Sequence, residues 1–381
     1  MMIRSFLSVG QGAFYRECFR FDYSHPNRRI NVVYDCGSLT SDDLIRRRIR
    51  DEFEKDEIVN AVFISHFDVD HCNGLNELFN RCDVKNLFLP LVTKKELFLS
   101  HLAGLAHTNG TDSLPFLSDL SWFLKQRSGR PRIFLVSPPE YQEDDFVFFE
   151  GSEMIRAHNV SQNVFEDENV TEFPYNDWVF YPYNFQSTKR ADDFEQELRN
   201  RLGVTFDWRS VVDPVSFYRQ HDKIIKAALK EVEGSVNSNS MTLFSGTLAP
   251  HVEQVPCFCN RRSWSCRYLN VCGHCCESRP NGCLYTGDYE AQTNEKWCAL
   301  KDAYEKYWDR IGCLQLPHHG AKNGFHQEMM ELDAYFVASA GYSSKFGHPN
   351  SRVIRELLCH RCDVQIVTEM TGSEASFRIS F

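Results

Sequence analysis

Four metal-competent side chains crowd one short stretch of the sequence, His66-Phe67-Asp68-Val69-Asp70-His71: His66, Asp68, Asp70 and His71. The stretch follows directly on the apolar run Ala61-Val62-Phe63-Ile64. A tight loop at the end of a rigid strand can aim imidazoles and carboxylates at one point, which lowers the entropy cost of assembling a site. Taken alone, the motif reads equally well as a helix N-cap with solvated carboxylates. Three further places tip the reading toward a divalent-metal centre. They are Gly287-Asp288, Pro317-His318-His319-Gly320 and Gly347-His348-Pro349. A carboxylate placed like Asp288 suits a bridge between two cations, and two ions about 4 Å apart can clamp a phosphate and generate hydroxide at neutral pH. The chemistry expected is therefore metal-dependent hydrolysis. Lys322 reads either as a point charge for a phosphate oxygen or as a solvated loop lysine. Asn239 and Ser240 read better as turn residues than as site residues, and Asp35 as a support rather than a ligand.

These groups need strand ends to hold them. Ile30-Asn31-Val32-Val33-Tyr34 predicts a strand that stops at Asp35-Cys36-Gly37. A helix should follow, opened by a capping box of Thr40 and Asp43, with Leu44, Ile45, Ile49 and Phe53 on one face. The run 61–64 predicts the next strand, and strand–helix–strand order points to a layered α/β architecture. Residues 93–235 are less regular and read as an insertion within the domain. They contain a strand candidate at Trp178–Tyr181 and a helix opened by Asp213-Pro214, a cap followed by proline in the first turn. Short strands return at 241–244, 283–286, 313–316 and 335–338, and the last three end beside polar clusters, where site residues commonly sit.

At this point the order of motifs resembles the metallo-β-lactamase superfamily, and within it the hydrolase-domain branch of ComEC-type DNA-uptake proteins and their standalone bacterial relatives. Ser8-Val9-Gly10-Gln11-Gly12 is similar to that branch's Asp-Val-Gly-Gln-Gly turn, and Val33-Tyr34-Asp35-Cys36-Gly37 to its Val-Asp-x-Gly segment. Ser65–Gly74 is similar to Ser-His-x-His-x-Asp-His-x-x-Gly, and Asn237-Ser238-Asn239-Ser240 to Asn-x-Asn-Ser. Leu284–Asp288, Pro317–Lys322 and Phe346–Pro349 are similar to its Leu-Thr-Gly-Asp, Pro-His-His-Gly-Ser-Lys and Tyr-Gly-His-Pro elements. The resemblance implies a single domain over 1–381, an αββα sandwich with the metals at one sheet edge. It implies that His66 and Asp68 hold a first metal, Asp70 and His71 a second, and Asp288 bridges them. His348 and one of His318 and His319 would complete the set or protonate a leaving group. Asp68 stands where the family places a histidine; a harder oxygen ligand brings manganese or magnesium in beside zinc. Ser8 and Ala13 replace family acids and Ala321 a serine, changes expected to alter substrate contacts more than fold.

Seven cysteines fall between 257 and 283, within a lobe expected at 247–283. Cys257, Cys259, Cys272 and Cys275 could bind a structural zinc, although the spacing fits no standard finger; free or redox-active thiols are the alternative. Arg261, Arg262, Trp264, Arg267 and Tyr268 in the same lobe mix cations with aromatics, a pattern that can contact nucleic acid. The net charge of -10 gives no global basic surface for a polyanion but leaves room for a local patch. No apolar run spans a bilayer and no signal-peptide pattern opens the sequence, so a cytoplasmic setting without membrane association is expected.

Three functions compete. The first is a phosphodiesterase or nuclease using a dinuclear metal-activated hydroxide on nucleic acid or nucleotides. The second is a hydrolase of small molecules such as a cyclic nucleotide, lactone or thioester. The third is a non-catalytic metal-binding partner protein. A role beside protein partners in a multi-component bacterial system is a further expectation.

Overall fold

The computed structural model describes residues 1–20, 29–110, 131–139, 146–149, 151–156, 160, 177–185, 189–232, 240–249, 251–256, 278–342 and 344–380. Apolar residues alternate along its strands, and the alternation sets the layers. In the strand Arg29–Cys36, Ile30, Val32 and Tyr34 face one core while Val33 and Cys36 face another. The same division separates Ala61 and Phe63 from Val62, and Phe88 from Leu87 and Leu89. A strand apolar on both faces belongs in the middle of a layered fold.

Among the described residues, ten strands form the first sheet. Their spatial order is Arg279–Pro280, Glu253–Pro256, Ala375–Ile379, Met2–Phe6, Phe14–Arg20, Arg29–Cys36, Ala61–Phe63, Asn86–Pro90, Arg132–Ser137 and Ser152–Arg156. From Arg29–Cys36 onward the neighbours are parallel. The second sheet runs Trp178–Asn184, Met241–Thr247, Gly282–Tyr285, Ile311–Gln315, Tyr335–Ser339 and Asp363–Val367, parallel over its last four strands. The sheets meet through rings such as Phe6, Tyr34, Phe63 and Phe88 from the first and Phe180 and Tyr285 from the second. Helices Asp42–Glu52 and Leu75–Arg81 cover the outside of the first sheet. Asn294–Ala303 and Ser351–Cys359 cover the outside of the second. This is the αββα sandwich that the resemblance implies.

The region 93–235 does not sit wholly outside that core. Arg132–Ser137 and Ser152–Arg156 extend the first sheet, and Trp178–Asn184 is an edge of the second. Its helices Lys94–His107, Lys189–Leu202 and Pro214–Glu231 pack on one another around Leu99, Leu102, Phe194, Leu198 and Ile225. The first of them carries a true capping box of Thr93 and Glu96. Asp213 caps the third by accepting from the Val215 and Ser216 amides, as its sequence predicts. The cap near residue 40 differs from expectation. Ser41 accepts from the Leu44 amide, while the Thr40 hydroxyl accepts from the Gln11 amide at 2.8 Å and ties down the Gly10–Gly12 turn. No helix among the described residues is long and apolar enough to cross a membrane. Cys257, Cys259, Cys272 and Cys275, and the basic and aromatic residues between them, lie outside the described residues, as does Asn239.

Candidate metal centre

Parallel strands of both sheets deliver their carboxyl ends to one edge, the place where α/β sheets commonly hold their ligands. Asp35 is next to last in the strand Arg29–Cys36, and Ser65-His66 follows Ala61–Phe63. Asp70 and His71 lie in the short helix Val69–Cys72. That helix can approach because residue 37 is glycine: a Cβ there would stand 2.4 Å from the Asp70 carbonyl carbon and 2.5 Å from the His71 nitrogen. From the second sheet come Asp288, beyond Gly282–Tyr285, and His318 and His319, beyond Ile311–Gln315.

Five of the predicted residues converge. His66, His71 and Asp288 form one group able to hold a metal ion, and Asp70, His71 and His319 a second, with ligand atoms within 4.8 Å of one another in each. His71 Nε2 lies 3.1 Å from Asp288 Oδ1, and His319 Nε2 lies 3.1 Å from Asp70 Oδ2. His66 Nε2 lies 3.8 Å from Asp288 Oδ2. Asp68 stands at the margin, its Oδ2 3.5 Å from His66 Nε2.

The rear of each imidazole is already engaged. His71 Nδ1 donates to Asp35 Oδ2 at 2.8 Å, and His319 Nδ1 to the Ser339 carbonyl at 2.8 Å. Ser65 Oγ donates to Asp35 and is left to accept from His66 Nδ1 at 2.9 Å. Such partners fix the tautomer and raise the basicity of a metal-ligating histidine. In its neutral form each ring then turns an Nε2 lone pair toward the carboxylates. His66 Nε2, His71 Nε2 and Asp288 Oδ1 are buried without a hydrogen bond. Facing acceptors in a dry site need a positive charge between them. A divalent cation supplies it, so the donor set fits a metal.

The charges of the site also act on one another. Burial alone would raise the Asp70 carboxyl, but His319 and His71 outweigh it and hold it at about 2. Burial likewise opposes ionisation of Asp288, yet His318, His71 and His319 hold it well below the carboxylate range. Burial disfavours charge on His71, and Asp288 and Asp35 override this to raise its pKa. Burial pushes His348 down to about 4, helped by His318 and His319, which leaves a neutral imidazole with a lone pair at pH 7.

The two adjacent histidines divide the work. His319 is buried within the metal set, whereas His318 keeps a fifth of its side chain exposed and places Nε2 3.6 Å from Asp288 Oδ2. Both adopt left-handed backbone, φ 50° and 57°, as does Asp35 at 55°. Such conformations cost of order 1–3 kcal/mol each outside glycine and persist where the surroundings enforce them, commonly at functional sites.

Sequence reading missed Ser240. It reads as a turn residue, yet its Oγ accepts from the Asp288 amide at 2.8 Å and lies 3.2 Å from His66 Nδ1. Gly287, at φ 53°, makes room for it: a Cβ would meet Ser65 Cβ at 2.7 Å and Ser240 Cβ at 2.9 Å. The Asn-x-Asn-Ser resemblance was the available signal.

A cleft of ≈ 610 Å³ opens over the centre. Asp68, Asp70, Asp288, His318 and His348 line its floor, and Ala103, Ala106, His107, Lys226, Leu229 and Lys230 of the helical insert line the facing wall. Lys322 is exposed on the turn Lys322–Gly324; its neighbour Asn323 lines the cleft instead.

Fold and centre together show an αββα sandwich consistent with the metallo-β-lactamase fold, with side chains able to hold divalent metal. Residues 27–158, about a third of the chain, match the metallo-beta-lactamase superfamily. Two solved structures are similar. One is human tRNase Z, short form, at 13% identity and a TM-score of 0.26, covering 49% of this chain and 60% of that one, so this chain spans under two thirds of that enzyme. The other is a subclass B3 metallo-beta-lactamase isolated from a soil metagenome library, at 10% identity and a TM-score of 0.30, covering 84% of this chain and 81% of that one. No curated protein matches the sequence.

Proposed function

We propose that this chain is a metal-dependent phosphodiesterase of the ComEC-type branch, acting on nucleic acid or nucleotides. The observation that carries the metal is the pair of facing acceptors, His71 Nε2 against Asp288 and His319 Nε2 against Asp70. Two divalent ions, zinc or manganese, would be held by His66, Asp68, Asp70, His71, Asp288, His319 and His348. Bound there, such ions supply Lewis acidity and ionise water near neutral pH. The chain's own residues do the rest. Asp35, Ser65 and the Ser339 carbonyl orient the three imidazoles, and Ser240 orients Asp288. Asp70 faces both the metal set and the cleft, which suits it to align the attacking water. His318 faces the cleft and provides the ring N–H for the leaving oxygen.

The second reading is a small-molecule hydrolase. The apolar part of the cleft wall, Leu39, Val69, Ala103, Ala106 and Leu229, favours it. One experiment separates the two. Metals are counted by elemental analysis, and labelled DNA, RNA, cyclic nucleotides and small esters are assayed with manganese, magnesium and zinc, beside an Asp70→Ala/His71→Ala variant. Phosphodiester cleavage lost in the variant supports the proposal. Ester hydrolysis by a metal-loaded protein that cleaves no phosphodiester selects the second reading.

A further inference from the structure

The facing wall of the cleft has a charge character of its own. Lys226 and Lys230 sit four residues apart in the helix Pro214–Glu231, which places both on one face, with Leu229 beside them on the cleft. Lys226 donates to Asn109 Oδ1 at 2.9 Å, a neutral partner that leaves its charge in place. Lys230 is exposed. Among the described residues lining the cleft, the helical insert contributes no carboxylate; every acid there belongs to the metal set. Two divalent ions would more than offset Asp68, Asp70 and Asp288. The lysines then give the cleft a positive field in a chain whose net charge is -10.

An aromatic ring completes the arrangement. Phe346 is 40% exposed and lines the same cleft. Its ring lies 6.4 Å from that of His107 on the insert and 6.3 Å from that of His348 on the floor, so it stands where the two walls meet. An exposed aromatic beside cations is how proteins hold single strands: the ring stacks a base and the cations follow the backbone.

We propose that Lys226 and Lys230 hold a phosphate adjoining the scissile one while Phe346 stacks the neighbouring base, so that the substrate is single-stranded nucleic acid rather than a lone phosphodiester. The inference rests on the phosphodiesterase reading for its scissile phosphate, but its binding can be measured without turnover. Among the described residues no carboxylate pairs with either lysine, so both are left for an anion of the substrate. A chain of phosphates reaches them.

The test compares the metal-loaded wild type with Lys226→Ala/Lys230→Ala and with Phe346→Ala. Binding of a fluorescein-labelled ten-residue oligothymidylate is followed by anisotropy across a salt series. Turnover of that oligonucleotide and of bis(p-nitrophenyl) phosphate, which has no second phosphate, is measured in parallel. The double-lysine variant should bind the oligonucleotide about tenfold more weakly, and its log–log salt slope should fall by roughly 0.7, the contribution of one single-strand phosphate contact. The ratio of kcat/KM for the oligonucleotide to that for the small diester should fall about tenfold. Phe346→Ala should weaken binding with the salt slope kept, since stacking releases no counterions. Wild-type protein that fails to bind the oligonucleotide, or lysine variants that bind it equally well, overturns the inference. Oligonucleotide binding that depends on the lysines, without turnover of either diester, upholds the single-strand binding site and overturns the phosphodiesterase reading, and with it the strand's place as substrate.

Discussion

The Asp35 carboxylate lies 2.8 Å behind His71, on the side of the ring away from the metal set, and both residues are fully buried. Asp35 also accepts from the Ser65 amide and hydroxyl. Removing its charge should therefore act through two imidazoles, His71 directly and His66 by way of Ser65. Asn also tolerates left-handed backbone. Asp35→Asn should lower metal affinity about 10–100-fold, the usual effect of losing a ligand's supporting carboxylate. Competition with a chromophoric chelator measures this, and unchanged affinity would refute the role.

His318 and His319 share a backbone conformation but not a task. In His319→Asn, metal content measured by elemental analysis should fall, because Nε2 belongs to the metal set. In His318→Asn metal content should hold while turnover drops about 10²-fold or more, the scale of a lost proton donor. Equal metal loss in the two variants would show that the pair acts as one ligand unit.

Gly287→Ala should destabilise the protein and weaken the site together. Left-handed backbone costs an alanine roughly 1–2 kcal/mol, and the added methyl meets Ser65 and Ser240 at under 3 Å. A lowered melting temperature with reduced metal affinity is expected. A lowered melting temperature with native affinity would mean that Ser65 and Ser240 do not govern the imidazoles.

Metal-free protein should lose stability as pH rises. The pKa values of His71 and His319 are both raised by the facing carboxylates, against the effect of burial. The stability they contribute is complete below the ordinary histidine pKa of about 6.5 and is lost as pH climbs through the raised folded values. Thermal melts from pH 6 to 9 should show a decline in the metal-free form and a flatter profile once metal replaces the protons. A flat metal-free profile would argue that the imidazoles are not charged in the folded state.

Much of the centre was legible because its ligands sit in short local patterns beside apolar runs. His66, Asp70, His71, Asp288 and His319 could all be named from their place after a strand. Ser240 had only the Asn-x-Asn-Ser resemblance to mark it, because its role depends on a long-range meeting with His66 and Asp288 rather than on neighbours in sequence. Lys322 reads equally in sequence as a phosphate contact or a solvated loop lysine; it is exposed on the turn Lys322–Gly324, and Asn323 rather than Lys322 lines the cleft. Ser152–Arg156 lies inside a polar stretch, and only pairing with Arg132–Ser137 makes it sheet, whereas the apolar run Ile133-Phe134-Leu135-Val136 does carry a strand signal of its own. Lys94–His107 was missed because its buried faces nearly encircle it, which blurs the periodicity that marks a helix at a surface.

The residues able to hold metal are divided between distant parts of the chain: His66, Asp70 and His71 with the first sheet, Asp288 and His319 with the second. During synthesis, which runs at about 5–20 residues per second, the early group leaves the ribosome many seconds before its partners exist. The half-made chain holds an incomplete set of ligands and cannot assemble the full centre. The order of residues along the polypeptide thus ties completion of the candidate centre to the closing of the second sheet on the first.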